Sequence, residues 1–195
     1  MKKVLQASLI AVALLVGSNV SAQDSPIQLG VKAGVNLSNF GGDVEGTKAK
    51  VGFNAGVTLD YNFTPNVALL TGLEFTTKGA KYKHLDDASV NAMFIQLPVH
   101  VGYKLPVTET MKVVFHAGPY AAYGIGGKNK IEGVKFDTFG KDALKEFDFG
   151  VGLGAGLEFG QIGVGLGWDF GLADLSRGDG SVKTQNGYLS LGYKF

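Results

Sequence analysis

Three histidines, 17 carboxylates, 18 Lys and Arg residues and no cysteine make up the reactive inventory of this 195-residue chain. His100 and His116 lie in two segments of alternating apolar and polar residues joined by the polar turn Pro106 to Met111, and parity puts both on the polar face. Two imidazoles opposite or diagonal across a hairpin have the chemistry of a metal site or a proton-transfer pair. The simpler reading is a hydrogen-bonded interior pair, because two histidines without a positioned third ligand rarely hold a metal. Ser190 is the one hydroxyl that can be assembled with them. Acyl transfer needs nucleophile, base and orienting acid within hydrogen-bond reach, and the strand of Ser190 is not a neighbour of the strand of His100. His84 with Asp86 and Asp87 falls in a polar segment and reads as solvated charge. Gly150, Gly152, Gly154 and Gly156 have strict period two, without the G-x-G-x-x-G spacing or strand-to-helix break of a nucleotide loop. These residues predict no enzyme and call for no metal or cofactor.

The elements that carry these residues are strands. From Phe147 to Phe170 large apolar residues fall at every second place, with glycine or a carboxylate between them. Successive β side chains point to opposite faces, so Phe147, Phe149, Val151, Leu153, Leu157 and Phe159 share one face, and Asp148, the glycines and Glu158 share the other. After a tight turn at Gly160-Gln161, Val164, Leu166, Trp168 and Phe170 resume the apolar face. The same alternation gives strands from Ile27 to Ser38, Val51 to Phe63, Val67 to about Lys78, Ala92 to Leu105, Lys112 to about Gly126, and Leu189 to the end. Charges are nearly absent from the apolar faces. Lys32, Asp60, Glu74, His100, Lys104, His116, Tyr120, Asp148, Glu158, Asp169 and Lys194 all fall on the opposite one and form a candidate interior polar network with a structural role. Buried charges must be paired, so the lysines are expected to contact these carboxylates and plug the interior.

Composition fits such a fold. The chain has 30 glycines, against an ordinary share of about 7 %. Met1-Lys2-Lys3, the apolar run Val4 to Gly17 and the small-residue stretch before Gln23 predict a Sec-type signal peptide over residues 1–22, with a barrel domain over 23–195. The mature part then carries 16 basic against 17 acidic residues, and no basic surface recruits nucleic acid. No mature segment is apolar over the ~20 residues a spanning helix needs. Helices and closed barrels alone satisfy every backbone group in a bilayer.

The predicted fold is therefore all-β: an eight-stranded antiparallel up-and-down transmembrane barrel with a lipid-facing exterior. Long polar segments near residues 39–50, 79–91, 127–146 and 173–186 alternate with short turns, as external loops alternate with periplasmic turns. Outer-membrane lipid is the expected partner of the apolar face, and an extracellular or envelope protein the expected partner of the loops. A helical turn is expected at Asp142 to Lys145. Aromatics such as Tyr61, Phe63, Tyr103, Tyr123, Phe159 and Phe170 predict two interfacial girdles; Trp168 sits deeper and has no role in them. Pro98 and Pro119 lie inside strands of a sheet with no free edge, which predicts a bulge at one or both. A lipocalin-like barrel with the apolar face inward is the soluble alternative.

Gly30-Val31-Lys32-Ala33-Gly34-Val35-Asn36, Pro65-Asn66 with Gly72-Leu73-Glu74-Phe75, Ile95-Gln96-Leu97-Pro98-Val99, Gly118-Pro119-Tyr120 and Asp148-Phe149-Gly150 follow one another in an order that resembles the small PorT-like outer-membrane barrels common in Bacteroidota. The resemblance spans nearly all the mature chain. It implies fold and outer-membrane location, with no shared catalytic site, and Tyr193-Lys194-Phe195 is similar to the aromatic end read by barrel-assembly machinery. An outer-membrane enzyme acting on lipid or peptide and a secretion or transport subunit are the alternative roles. A membrane barrel should migrate faster on a detergent gel before boiling than after; a detergent-free soluble monomer would exclude this fold.

Overall fold

Hydrocarbon offers a strand no water, so each N–H and C=O must find its partner in a neighbouring strand and the outermost strands must find each other. The computed structural model describes residues 26–44, 46–82, 88–131, 133–140 and 143–195. The expected signal peptide, the group of His84, Asp86 and Asp87, and Asp142 lie outside the described residues.

The described residues form nine strands in chain order: β1 (Ile27–Gly42), β2 (Thr47–Asn62), β3 (Val67–Tyr82), β4 (Ser89–Pro106), β5 (Met111–Ile131), β6 (Val134–Asp137), β7 (Phe147–Phe159), β8 (Ile162–Gly171) and β9 (Val182–Lys194). All pairings are antiparallel. The sheet runs β4-β3-β2-β1-β9-β8-β7-β5, and β4 pairs β5 to close it into an eight-stranded barrel. β6 pairs with β5 beyond the wall, from Lys128↔Asp137 to Ile131↔Val134. Gly160 takes a positive φ of 56° in the two-residue turn between Phe159 and Ile162.

The strands are longer than the apolar alternation indicates. β1 continues to Gly42 and β5 to Ile131, so much of the sequence that reads as external loop is strand. A spanning strand needs about 9–11 residues; the excess stands above the bilayer, where side chains face water and the alternation fades. Of the segment read as a helical turn, the described residues 143–145 are not helical: Ala143 is in a bend and Leu144 bridges to Phe139. The proline expectation is corrected as well. The β4–β5 ladder passes from Pro98↔Tyr120 to Val101↔Ala117 in unchanged register, and Pro119 faces Val151 in the β5–β7 ladder. Pro98 gives β3 no N–H, but its carbonyl accepts from the Thr71 hydroxyl at 2.7 Å, and the β3–β4 register is the same on either side. The irregularities lie elsewhere, between Met93 and Phe94 opposite Ile125, and between Ala49 and Asn54 of β2.

The two faces separate as parity requires. Leu153 on the outer face is 54 % exposed and Asp148 on the inner face 0 %, which excludes the inverted lipocalin-like barrel. Tyr61, Tyr103, Phe159 and Tyr193 lie near the strand ends by the short turns, and Tyr123, Phe147, Phe149 and Phe170 toward the other end. Trp168 gains a role here. It pairs across β8–β9 with Gly187, where a Cβ would fall 2.7 Å from its ring, so the missing side chain lets the indole lie on the sheet.

Inside, β7 and β8 present glycine almost throughout. A Cβ at Gly150 would stand 2.8 Å from the Tyr120 ring, and one at Gly154 would stand 2.6 Å from both His116 Nε2 and the Leu166 carbonyl. The Gly154→Leu variant should therefore cost about 3 kcal/mol or more through overpacking, whereas Leu153→Ala on the lipid face should cost about 1–2 kcal/mol. Urea refolding midpoints in lipid vesicles test this, and the reverse order would invert the two faces.

Candidate functional site: the polar lumen

An eight-stranded barrel has an interior just wide enough for side chains. The thin glycine wall on one side lets long polar groups from the opposite strands cross that interior, and they fall into layers.

At the end with the short turns, Lys104 Nζ donates to Asp60 Oδ2 at 2.7 Å and to Asn62 Oδ1 at 3.0 Å. Lys194 Nζ lies 2.5 Å from both Asp60 and Glu158. Asp60 thus sits between two ammonium groups, each balanced in part by a second acceptor. One layer further, Lys32 pairs with Glu74 at 2.5 Å. Next to it Asn36 Nδ2 donates to Thr76 Oγ1 at 2.8 Å and Asn54 Nδ2 to Asn36 Oδ1 at 2.6 Å.

His100 and His116 meet in mid-lumen. They are diagonal in the β4–β5 register, their rings stack 5.1 Å apart, and their Nδ1 atoms approach to 3.0 Å. That contact requires one Nδ1–H donor and one Nδ1 lone pair, so the two rings hold opposite tautomers at these positions. Among the described residues no three His, Cys, Asp or Glu side chains gather at metal-binding distance. The Ser190 hydroxyl bonds the Gly165 carbonyl at 3.4 Å, and no hydrogen bond joins it to either imidazole. The nearby Asp169 accepts from Gln96 Nε2 at 3.1 Å.

Toward the external end, Lys78 and Asp148 form an ion pair at 3.1 Å with side chains 1 % and 0 % exposed. Asp148 Oδ2 also accepts from Thr184 at 2.8 Å and Tyr120 at 3.3 Å, and the Lys78 ammonium stands 4.4 Å from the Tyr120 ring centre. Above it Phe94 and Phe139 meet edge to face at 5.4 Å. Phe139 comes from the β6–β7 connection and fills the space over Gly124. Leu175, from the β8–β9 connection, is fully buried in the same cluster. An ion pair and an aromatic lid thus lie one behind the other across the barrel.

All eleven residues singled out from the sequence lie on the inner wall. The most deeply buried pair is only half among them: parity puts Lys78 on the inner face at the last position of its strand, but it is not one of the eleven. Thr184 and Asn186 read as loop and Tyr188 as its border, yet all three are inner-wall positions of β9. Parity carried five residues back from Leu189 would have found the three on β9.

Residues 21–177 match the family model described as the outer membrane protein beta-barrel domain. The chain belongs to that family. It is an outer-membrane β-barrel protein, and similar solved structures have the same architecture. They include the outer membrane enzyme PagL (15 % identity over 84 % of this chain and 98 % of that one, TM-score 0.54) and Neisserial surface protein A (11 %, 86 % and 97 %, 0.52). OprG from Pseudomonas aeruginosa is a third (14 %, 87 % and 94 %, 0.50). Identities this low speak for the fold alone. A search of curated proteins gave no match.

The Lys78–Asp148 pair has a measurable signature. Lys78→Met or Asp148→Leu alone leaves a buried charge without its partner and should cost about 3–5 kcal/mol. The double variant should recover most of that in a refolding cycle, while simple additivity of the two losses would show that the charges do not act as a pair.

Proposed function

We propose that this protein is a sealed barrel of the PorT-like kind, exported through residues 1–22, whose role is structural or binding and is exercised by its external end. The observation that carries this reading is the two-deep plug of Lys78–Asp148 behind Phe94–Phe139. A permeation path would need an opening there, and the almost fully buried Lys78, Asp148 and Phe94 fill it. On this reading the inner-wall network is scaffold, holding the barrel's cross-section fixed.

The external connections form a packed cap. The Lys145 amide donates to the Leu175 carbonyl at 2.9 Å, and the Leu175 amide to the Val182 carbonyl at 2.8 Å. Arg177 joins Glu146 across the two connections at 2.9 Å. The exposed carboxylate of Asp174 accepts the amides of Val182 and Ser176, and these two bonds hold it below its ordinary range. A tied cap over a closed lumen supports recognition at the surface: a partner meets a shaped platform without first having to order it. The β5–β6 hairpin adds exposed Val134 and Phe136 to that platform. The enzyme reading, raised also by the fold shared with PagL, has no nucleophile–base contact to carry it among the described residues.

Two measurements test this. In planar bilayers the refolded protein should give no conductance steps above lipid leak, and a stable ion-conducting pore would overturn the sealed-lumen reading. Replacing Gly127 to Glu146 by a short turn should leave heat-modifiable migration intact while abolishing adhesion of producing cells to envelope or extracellular protein surfaces. Unchanged adhesion would count against the loop role.

A further inference from the structure

The ion pairs of the lumen leave one carboxylate over. The lysines account for all but one carboxylate: Lys32 holds Glu74, Lys78 holds Asp148, and Lys104 and Lys194 together hold Asp60 and Glu158. Asp169 is left with the neutral Gln96 amide as its hydrogen-bond partner, although it is 2 % exposed. Lys50, the next inner-wall cation, gives its ammonium to the Val90 carbonyl and Asn91 at the external end. A buried carboxylate with no cation in contact among the described residues carries a desolvation cost that one amide donor offsets only in part.

Three acceptor-capable atoms around Asp169 are likewise unpartnered and buried: Gln96 Oε1, Asn186 Oδ1 and His100 Nε2. Their residues are 4 %, 2 % and 5 % exposed. Gln96 touches Asp169 directly, and Asn186 is its cross-strand partner in β8–β9. His100 reaches it over Gly152, where a Cβ would meet Asp169 Oδ1 at 2.7 Å and His100 Nε2 at 3.0 Å. All four residues line a cavity of about 170 Å³ that continues to Glu158 and Lys194 at the end with the short turns. An apolar cavity of about 150 Å³ takes a ligand the size of benzene, so this one has room for a small organic group.

We propose that this cavity is a binding site for a small primary ammonium ion. Charge selects the class: one positive charge balances the single carboxylate at this cavity, whereas a divalent metal would exceed it. Hydrogen bonding refines it. A primary ammonium has three N–H donors, and the Asp169 carboxylate and the unpartnered Gln96 and Asn186 amide oxygens of the residues that line this cavity supply three acceptors. His100 Nε2 borders the same cavity, but the three N–H groups are already taken by the three oxygens, so the ligand does not set the histidine tautomers.

Calorimetric titration of the folded, detergent-solubilised barrel with methylammonium chloride at constant ionic strength tests the site. Methylammonium should bind, and tetramethylammonium, which has the charge but no N–H, should not. Asp169→Asn should weaken binding about tenfold or more, the loss expected for a hydrogen bond to a charged group. The same variant should leave refolding yield unchanged or raised, because it removes an uncompensated charge. If Asp169→Asn does not fold, Gln96→Leu, which keeps the carboxylate, takes its place with the same expected loss. Absence of methylammonium binding, equal binding by the variant, or zinc bound in its stead would overturn the proposal. So would ¹⁵N NMR showing His100 or His116 as imidazolium in the amine-free protein at neutral pH, since a proton would then supply the missing charge.

Discussion

Everything in this molecule follows from the demand that no backbone N–H or C=O face hydrocarbon unpaired. Eight strands meet it by closing β4 on β5, so the sheet has no edge at membrane depth. Closure fixes the strand count and with it a narrow interior. The chain then has two surfaces of opposite chemistry separated by one peptide layer. It writes both into the same strands as a period-two pattern, apolar outward and small or polar inward. The prolines show how strict the demand is: Pro98 lacks a donor, and the register holds while the Thr71 hydroxyl occupies its carbonyl.

A narrow interior turns glycine into a structural choice. On β7 and β8 the inner wall is backbone, so Tyr120 and His116 of the adjoining β5 lie over their cross-strand partners Gly150 and Gly154, and His100 from β4 extends over Gly152. Residues with side chains on one arc and almost none on the other fill a lumen that an even distribution of medium-sized groups would overfill. Toward the short turns the same wall is not met. Gly156, Gly163, Gly165 and Gly192 border the cavity, because the lysines and carboxylates there pair with one another along β1, β2, β4, β7 and β9.

The barrel was legible in the sequence because both of its environments are uniform along a strand: lipid outside is apolar everywhere, and the lumen admits only small or paired polar groups. Alternation in Phe147 to Phe170 therefore gave two strands, their turn and their faces at once. The signal fails where the environment changes. Above the bilayer the outer face meets water, so β3 beyond Lys78 and β9 before Leu189 lose their apolar partners and read as loop, taking Thr184 and Asn186 with them. Neither the β5–β6 hairpin nor the descent of Phe139 onto Gly124 has a periodic signature, since both depend on contacts between segments distant in sequence. Which lysine meets which carboxylate depends on barrel stagger, and a list of inner-wall residues does not contain it.

The lumen's polarity also has to be reconciled with its cost. Buried ion pairs are weak sources of stability, and a close-packed apolar core of the same shape is often as stable or more so. In an outer-membrane barrel that alternative carries its own penalty, because a strand apolar on both faces no longer distinguishes lipid from lumen, and a one-residue slip would go uncorrected. Charged inner faces make such a slip place Asp148 or Lys104 in hydrocarbon, at about 2–4 kcal/mol for a lysine at the midplane. The inner-wall charges thus act first on register and only second on net stability. That role asks for charge on the inner face of each strand and does not ask that each charge be paired, which is how one carboxylate, Asp169, can stand in the middle of the barrel without a lysine of its own.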